Sequence, residues 1–243
     1  MSTYVSIARL HLVDKTTLVL PWVILAFAFG VDLVIFALVP VSHHLVQSGG
    51  RVVAVSDYSG RDAGGLASIF VLFLINGIVS IVRSLPFGLA LGLSRRAYYT
   101  GTALLGLSLA VVYGLAVAAL QAVERATGGW GVAMHVFRVP YILSGPWYLT
   151  WLTSSVVLAL VFGYGMWIGT VYRRWNLPGT LAFGAAQVTV LLAAAVAVTW
   201  AHGWHGVGRF MTGLTAAGLT GLLAVLVAIL LAGGYATIRR ATV

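Results

Sequence analysis

The chain is 243 residues long, 60% hydrophobic and only 8% charged, with a mean hydropathy of +1.02. Soluble domains carry roughly a quarter of their residues as charges, so this composition excludes an ordinary water-soluble fold and makes a bilayer the solvent. The absence of cysteine removes disulfides, thiolate metal sites and cysteine nucleophiles. The fourteen Lys and Arg residues that give the net charge of +9 are dispersed as singles and pairs, which argues against nucleic acid as a partner.

The chain opens on MSTYVSIARLHLVDKTT, too polar to serve as a cleaved leader, and residues 1–16 are expected to form an amphipathic segment ahead of the first apolar run. Crossing about 30 Å of hydrocarbon takes roughly 20 apolar residues in a helix. Six such runs are present, at Thr17 to Val39, Leu66 to Leu85 with an extension toward Leu93, Thr100 to Val123, Trp147 to Val171, Pro178 to Trp200 and Leu214 to Tyr235. The stretches Val41 to Gly65 and Glu124 to Pro146 are expected to be solvated loops on one side. The other side carries Arg9, Lys15, Arg95, Arg96, Arg173, Arg174, Arg239 and Arg240 against one acid, Asp14. Arg51, Arg61, Arg125, Arg138 and Arg209 face Asp57, Asp62 and Glu124 on the loop side. The positive-inside bias therefore predicts cytoplasmic N- and C-termini, as an even number of spans requires. No internal repeat or linker is visible, so residues 1–243 read as one all-α integral membrane domain with six transmembrane helices.

Catalytic machinery is sparse. A Walker A motif needs a lysine after its glycines, and the single lysine, Lys15, lies in another context. The few carboxylates are far apart in sequence, there is no H-E-x-x-H, and no catalytic residue or metal site is expected. His43, His44, His202 and His205 read as boundary residues rather than ligands, and Trp130, Trp147, Trp151, Trp200 and Trp204 as an outer aromatic belt. Asp32 lies inside the first apolar run, where an ionisable group is costly unless paired or facing water. It is a candidate for a substrate path, for a structural hydrogen bond or for a neutral carboxyl, with Arg83 as its natural charge partner. Asn76, Gln121 and Gln187 are polar at membrane depth and either line a path or bridge helices. Small residues at Gly88 and Gly92, Gly165 and Gly169, and Gly213, Gly218 and Gly221 allow close helix approach, within the chain or between subunits.

The richest stretch is SLPFGLALGLSRRAYYTGTALLG. Pro86 bends or breaks the second helix, Gly88 and Gly92 permit tight packing, and Arg95–Arg96 mark the membrane surface. The residues describe either a short helix lying under the membrane or a plain basic loop. With Pro86, Phe87, Leu89, Leu91, Gly92, Ser94, Arg95, Arg96, Tyr98, Gly101 and Thr102 in place, the stretch resembles the intracellular loop of permease subunits of type-2 ATP-binding-cassette (ABC) exporters. ARLHLVDKTTLVLPW and GYGMWIGTVYRRWNLPG are similar to the segments that flank that family's first and fourth spans.

The resemblance implies an ABC type-2 exporter fold and a half-transporter that is not itself an enzyme. Two such subunits, in the simplest case a homodimer, form the pathway, and a separate ATPase subunit holding ATP and Mg docks beneath each. Pro86, Phe87, Gly92, Ser94, Arg95, Arg96, Tyr98 and Tyr99, within residues 86–99, are then the coupling residues. Arg95 and Arg96 are contacts to that ATPase or to anionic lipids. In the family, short re-entrant helices often precede the last span. Here Gly203, Gly206 and Gly208 suggest a tight, irregular hairpin over His202 to Thr212. The high Ala, Val, Leu, Gly and Arg content suits a GC-rich bacterial genome and hence a bacterial cytoplasmic membrane. A proton-coupled secondary transporter working through Asp32, and a non-transporting membrane scaffold, are the alternative readings.

Overall fold

The computed structural model describes residues 15–38, 42–48, 51–57, 64–132, 134–137 and 146–239; in 15–18, 42–48 and 51–57, and at Arg239, it describes the backbone alone. Residues 1–14, which include most of the expected amphipathic segment, lie outside that set. Among the described residues seven α-helices follow in order: α1 (Lys15–Leu38), α2 (Gly65–Val79), α3 (Leu85–Ala90), α4 (Arg95–Ala126), α5 (Trp147–Trp200), α6 (Trp204–Gly213) and α7 (Ala216–Arg239). A π-helical turn, Ser80–Ser84, joins α2 to α3. Among the described residues, five helical stretches are long and apolar enough to cross a membrane: 19–38, 65–90, 95–126, 147–200 and 216–238. By the length and composition of these helices the chain is a multi-pass membrane protein whose membrane part is α-helical.

The segment expected to be an irregular loop after α1 contains the antiparallel strands β1 (Ser42–Ser48) and β2 (Arg51–Asp57), with Ser48 opposite Arg51. The cause is local. Two glycines, Gly49 and Gly50, separate two valine-containing runs, and a two-residue glycine connection is the tightest way to reverse a strand.

Side-chain contacts fix the direction of each helix against its neighbours. Trp22 stacks on Tyr113 and Phe29 meets Trp130, so α1 and α4 run parallel. Phe73 meets Tyr113 while Tyr98 bonds Ser80, so α2 and α4 are antiparallel. Gly114 lies against Ser155 and Gly106 against Phe162, which sets α4 antiparallel to the first part of α5. Gly77 lies against Gly165 and Gly169 against Ile81, so α2 and that part of α5 are parallel. Thr153 meets Thr220, and Gly163 meets Leu231, so α7 also runs parallel to it.

The 54-residue α5 is not one rod. At Asn176 the backbone takes φ 54° and ψ −157°, a region adopted essentially by glycine alone. Two residues later Pro178 lacks the N–H that helix continuation needs. Beyond this break the chain doubles back: Trp167 packs edge-on against Phe183 at 5.0 Å, and the Tyr164 hydroxyl donates to Gln187 at 2.7 Å. Residues 147–175 and 177–200 are therefore antiparallel partners, each long enough to cross about 30 Å.

The centre of the bundle is packed by glycine rather than by bulk. A Cβ on Gly165 or Gly77 would strike the opposing backbone, and one on Gly169 would come within 2.9 Å of Ile81. In lipid there is no hydrophobic drive between helices, so contact at this range supplies the van der Waals attraction that holds them. Gly165 and Gly169 thus serve packing within the chain. Gly213 and Gly221 face open space instead.

Candidate functional site

The connection between α2 and α4 is built residue by residue. Pro86 cannot donate to Val82, and the helix accommodates the missing bond with the π-turn immediately before it. Tyr98, fully buried, donates its hydroxyl to the Ser80 carbonyl in that turn at 2.7 Å. Gly88 lies flat against the Tyr98 ring, where a Cβ would approach within 2.6 Å. Helix α3 then ends with Gly92 at φ 81°. Gly92 N–H donates to Leu89 at 2.9 Å and Leu93 N–H to Gly88 at 3.1 Å. These two bonds are the Schellman closure that a left-handed glycine permits. Ser94 opens α4 in extended geometry, its hydroxyl accepting from Ala97 N–H at 3.2 Å.

Residues 86–99 are therefore a C-cap and an N-cap set back to back, with helix α3 continuing the second span rather than forming a separate helix beneath the membrane. The expected coupling residues divide by environment. Tyr98 and Tyr99 are buried, and Tyr99 donates to the Leu231 carbonyl of α7 at 3.0 Å. Gly92 and Ser94 shape the turn. Pro86 and Arg95 are half-buried, while Phe87 (57% exposed), Leu91 (59%) and Arg96 are presented at the surface. The contacts of Ser80 with Tyr98 and of Ile81 with Gly169 place Arg83, Arg95, Arg96, Arg173 and Arg174 at one basic end of the bundle. There Arg174 stacks on Trp175, 4.5 Å from the ring centre.

The polar residues at membrane depth do not converge on one path. Asp32 is half-buried and its Oδ2 accepts from Gly65 N–H at 2.8 Å, satisfying one of the unpaired amides that begin α2. Arg83 stands about 18 residues further along that span, about 27 Å away at 1.5 Å per residue, which rules it out as the charge partner of Asp32. Gln121 is buried near the far end of α4, donating to the Phe137 carbonyl at 2.8 Å. Asn76 is half-buried on α2. Gln187 lines a cavity, of about 730 Å³, between the two arms of α5 and α7.

Glu124 escaped the sequence reading. It was expected to begin a solvated loop, yet α4 continues to Ala126 and Glu124 is 0% exposed. Its Oε2 accepts from Val136 N–H at 3.0 Å, Phe137 N–H at 2.9 Å and the Trp130 indole at 3.2 Å. A carboxylate near a helix C-terminus is disfavoured by the helix dipole and needs such donors. They fold the following segment back over the bundle, burying Met134, Val136 and Phe137. Trp130 is consequently part of this packed end, against Phe29 and Phe137, rather than a belt residue. Trp147, Trp200 and Trp204 do lie exposed.

The hairpin expected over residues 202–212 is a ten-residue helix, α6, with no buried residue. Its glycines are spaced so that Trp204, Val207, Phe210 and Met211 share one apolar side. His205 and Arg209 lie off that side, the pattern of a helix resting at an interface. His43 and His44 stand on β1, where their side chains lie outside the described residues. Comparison with known proteins finds no matching family model, no matching curated protein and no matching solved structure.

Proposed function

We propose that this chain is the membrane-spanning permease subunit of a type-2 ABC exporter, six-spanning, with both termini and the 86–99 turn on the cytoplasmic face of a bacterial membrane. The observation that carries this reading is the turn itself. Between its two caps the turn holds Phe87, Leu91 and Arg96 outward, an apolar and basic surface that a partner can grip. The turn is tied to the second span through Tyr98 and to the last through Tyr99. The motif resemblance and this construction support each other. A force applied at Phe87 and Arg96 passes through two buried hydroxyls to α2 and α7, the lever that ATP-driven switching needs.

In this reading ATP and Mg bind a separate ATPase subunit, a second copy of the chain completes the pathway, and the break at Asn176 separates the fourth from the fifth span. The alternation of parallel and antiparallel neighbours supports the six-span count. Differential affinity of the turn for the two ATPase states would supply the energy of the switch. The test is purification from native membranes in mild detergent. A Walker A ATPase in equal amount is expected, with lipid-stimulated hydrolysis that falls at least tenfold in Arg96→Glu and Phe87→Asp while the complex remains monodisperse. Purification of the intact chain without any ATPase, from membranes in which it is natively made, would refute the reading.

A further inference from the structure

The cavity of about 730 Å³ between the arms of α5 and α7 lies apart from the 86–99 turn, and its chemistry is one-sided. Tyr164, Trp167 and Phe183 supply aromatic faces, and Leu191 and Leu226, both exposed, bound it laterally. Its side-chain polar groups are the Trp167 indole N–H, the Tyr164 hydroxyl and the Gln187 amide, the last two joined at 2.7 Å through Tyr164 O–H donating to Gln187 Oε1. That bond uses the acceptor of Gln187 and leaves its NH₂ group directed to no described side chain. Gln187 is about 11 residues beyond the Asn176 reversal, so it sits roughly 16 Å from the basic end, close to the middle of a 30 Å hydrocarbon layer. Water cannot satisfy an amide donor at that depth, and a donor left unmade there is costly.

We propose that this cavity binds an uncharged, hydrophobic molecule that carries an aromatic ring and one carbonyl-type acceptor, with the acceptor on Gln187 Nε2 and the ring against Trp167 and Phe183. Three observations select this class. The volume matches that of a site for a drug-sized ligand. The lining has no charged residue, which excludes ions and zwitterions. The depth excludes phospholipid, whose ester carbonyls stay at the interface, well away from Gln187. The exposed side chains of Leu191 and Leu226 leave a lateral entrance from the hydrocarbon. The site depends on the membrane placement of α5 and not on coupling to an ATPase, so either proposal can fail alone.

Benzophenone, a neutral diaryl ketone that inserts into C–H bonds on illumination, is the probe. The chain is reconstituted in lipid nanodiscs, photolabelled, and the adducts are mapped by mass spectrometry. Saturable labelling is expected within residues 160–167 and 183–191. Unlabelled benzophenone should compete about tenfold better than diphenylmethane, which keeps both rings but lacks the acceptor, a difference of the size one hydrogen bond contributes. Gln187→Leu should abolish that preference, and Ala186→Trp, which fills the cavity from its wall, should abolish labelling while elution remains monodisperse. Non-saturable adducts spread over the lipid-facing residues 192–200, or equal competition by the two compounds, would overturn the proposal. So would a preference that survives in Gln187→Leu.

Discussion

Asp32 shows how one hydrogen bond separates two roles. Its carboxylate is an acceptor for Gly65 N–H, and asparagine offers a carbonyl oxygen at the same place. Asp32→Asn is therefore expected to fold, to stay within about 0.5 kcal/mol of the parent and to keep transport, whereas Asp32→Leu leaves the amide unpaired and costs about 1–3 kcal/mol. Thermal unfolding in detergent alongside vesicle transport checks both; a folded Asp32→Asn that no longer transports would restore proton coupling. Glu124 is the stronger case, since a single oxygen gathers two backbone amides and an indole. Glu124→Ala is expected to destabilise by about 3 kcal/mol and to expose residues 134–137 to proteolysis, with Glu124→Gln intermediate. A structural hydrogen bond is one of the three roles the sequence allows Asp32, but its donor is not legible there, and neither is the role of Glu124. A carboxylate inside an apolar run and one four residues before a double glycine look like a functional and a solvated residue, because the donors that claim them come from elements distant in the chain or from a fold-back that composition does not announce.

At the scale of elements, the reversal within α5 is where backbone chemistry decides the architecture. Asn176 holds a φ of 54° with an extended ψ, a conformation costly for any residue with a Cβ. Asn176→Gly is expected to stabilise the protein by about 1 kcal/mol, and Asn176→Val to destabilise it by at least as much, read as opposite shifts in the unfolding midpoint. Equal effects of the two would mean that the break is not held at this residue. This element was legible: the paired arginines, Asn176 and Pro178 punctuate two apolar runs, and the expected ends at Val171 and Pro178 lie on either side of the observed break. The apolar helices were legible for the same reason, since the bilayer fixes their length. The β1–β2 hairpin and helix α6 were not. Both lie in stretches whose apolar runs are too short for a span and are interrupted by glycine, where a turn signal and a helix-breaking signal use the same residue. Within the 86–99 turn the motif names Tyr98 and Arg96 alike and does not tell Tyr98, which locks the π-turn from inside, from Arg96, which faces out.

For the whole molecule, helix directions combine into one expectation. The turn at Ser94 and the reversal at Asn176 lie at the basic end, and the turns at Thr127 and Ala201 lie at the opposite end. The proposed function depends on this arrangement, because an ATPase can reach the 86–99 turn and the basic reversal together only if they share a face. The natural chain has no cysteine, so single cysteines can be introduced without removing any native residue of that type. The most direct measurement places Cys in turn at Ser94, Asn176, Thr127 and Ala201 and labels each with a membrane-impermeant maleimide in right-side-out and inverted vesicles. Ser94→Cys and Asn176→Cys are predicted to react from the cytoplasmic side alone, and Thr127→Cys and Ala201→Cys from the other side alone. Labelling of positions 94 and 176 from opposite sides, or protection of position 176 from both, would contradict the six-span permease.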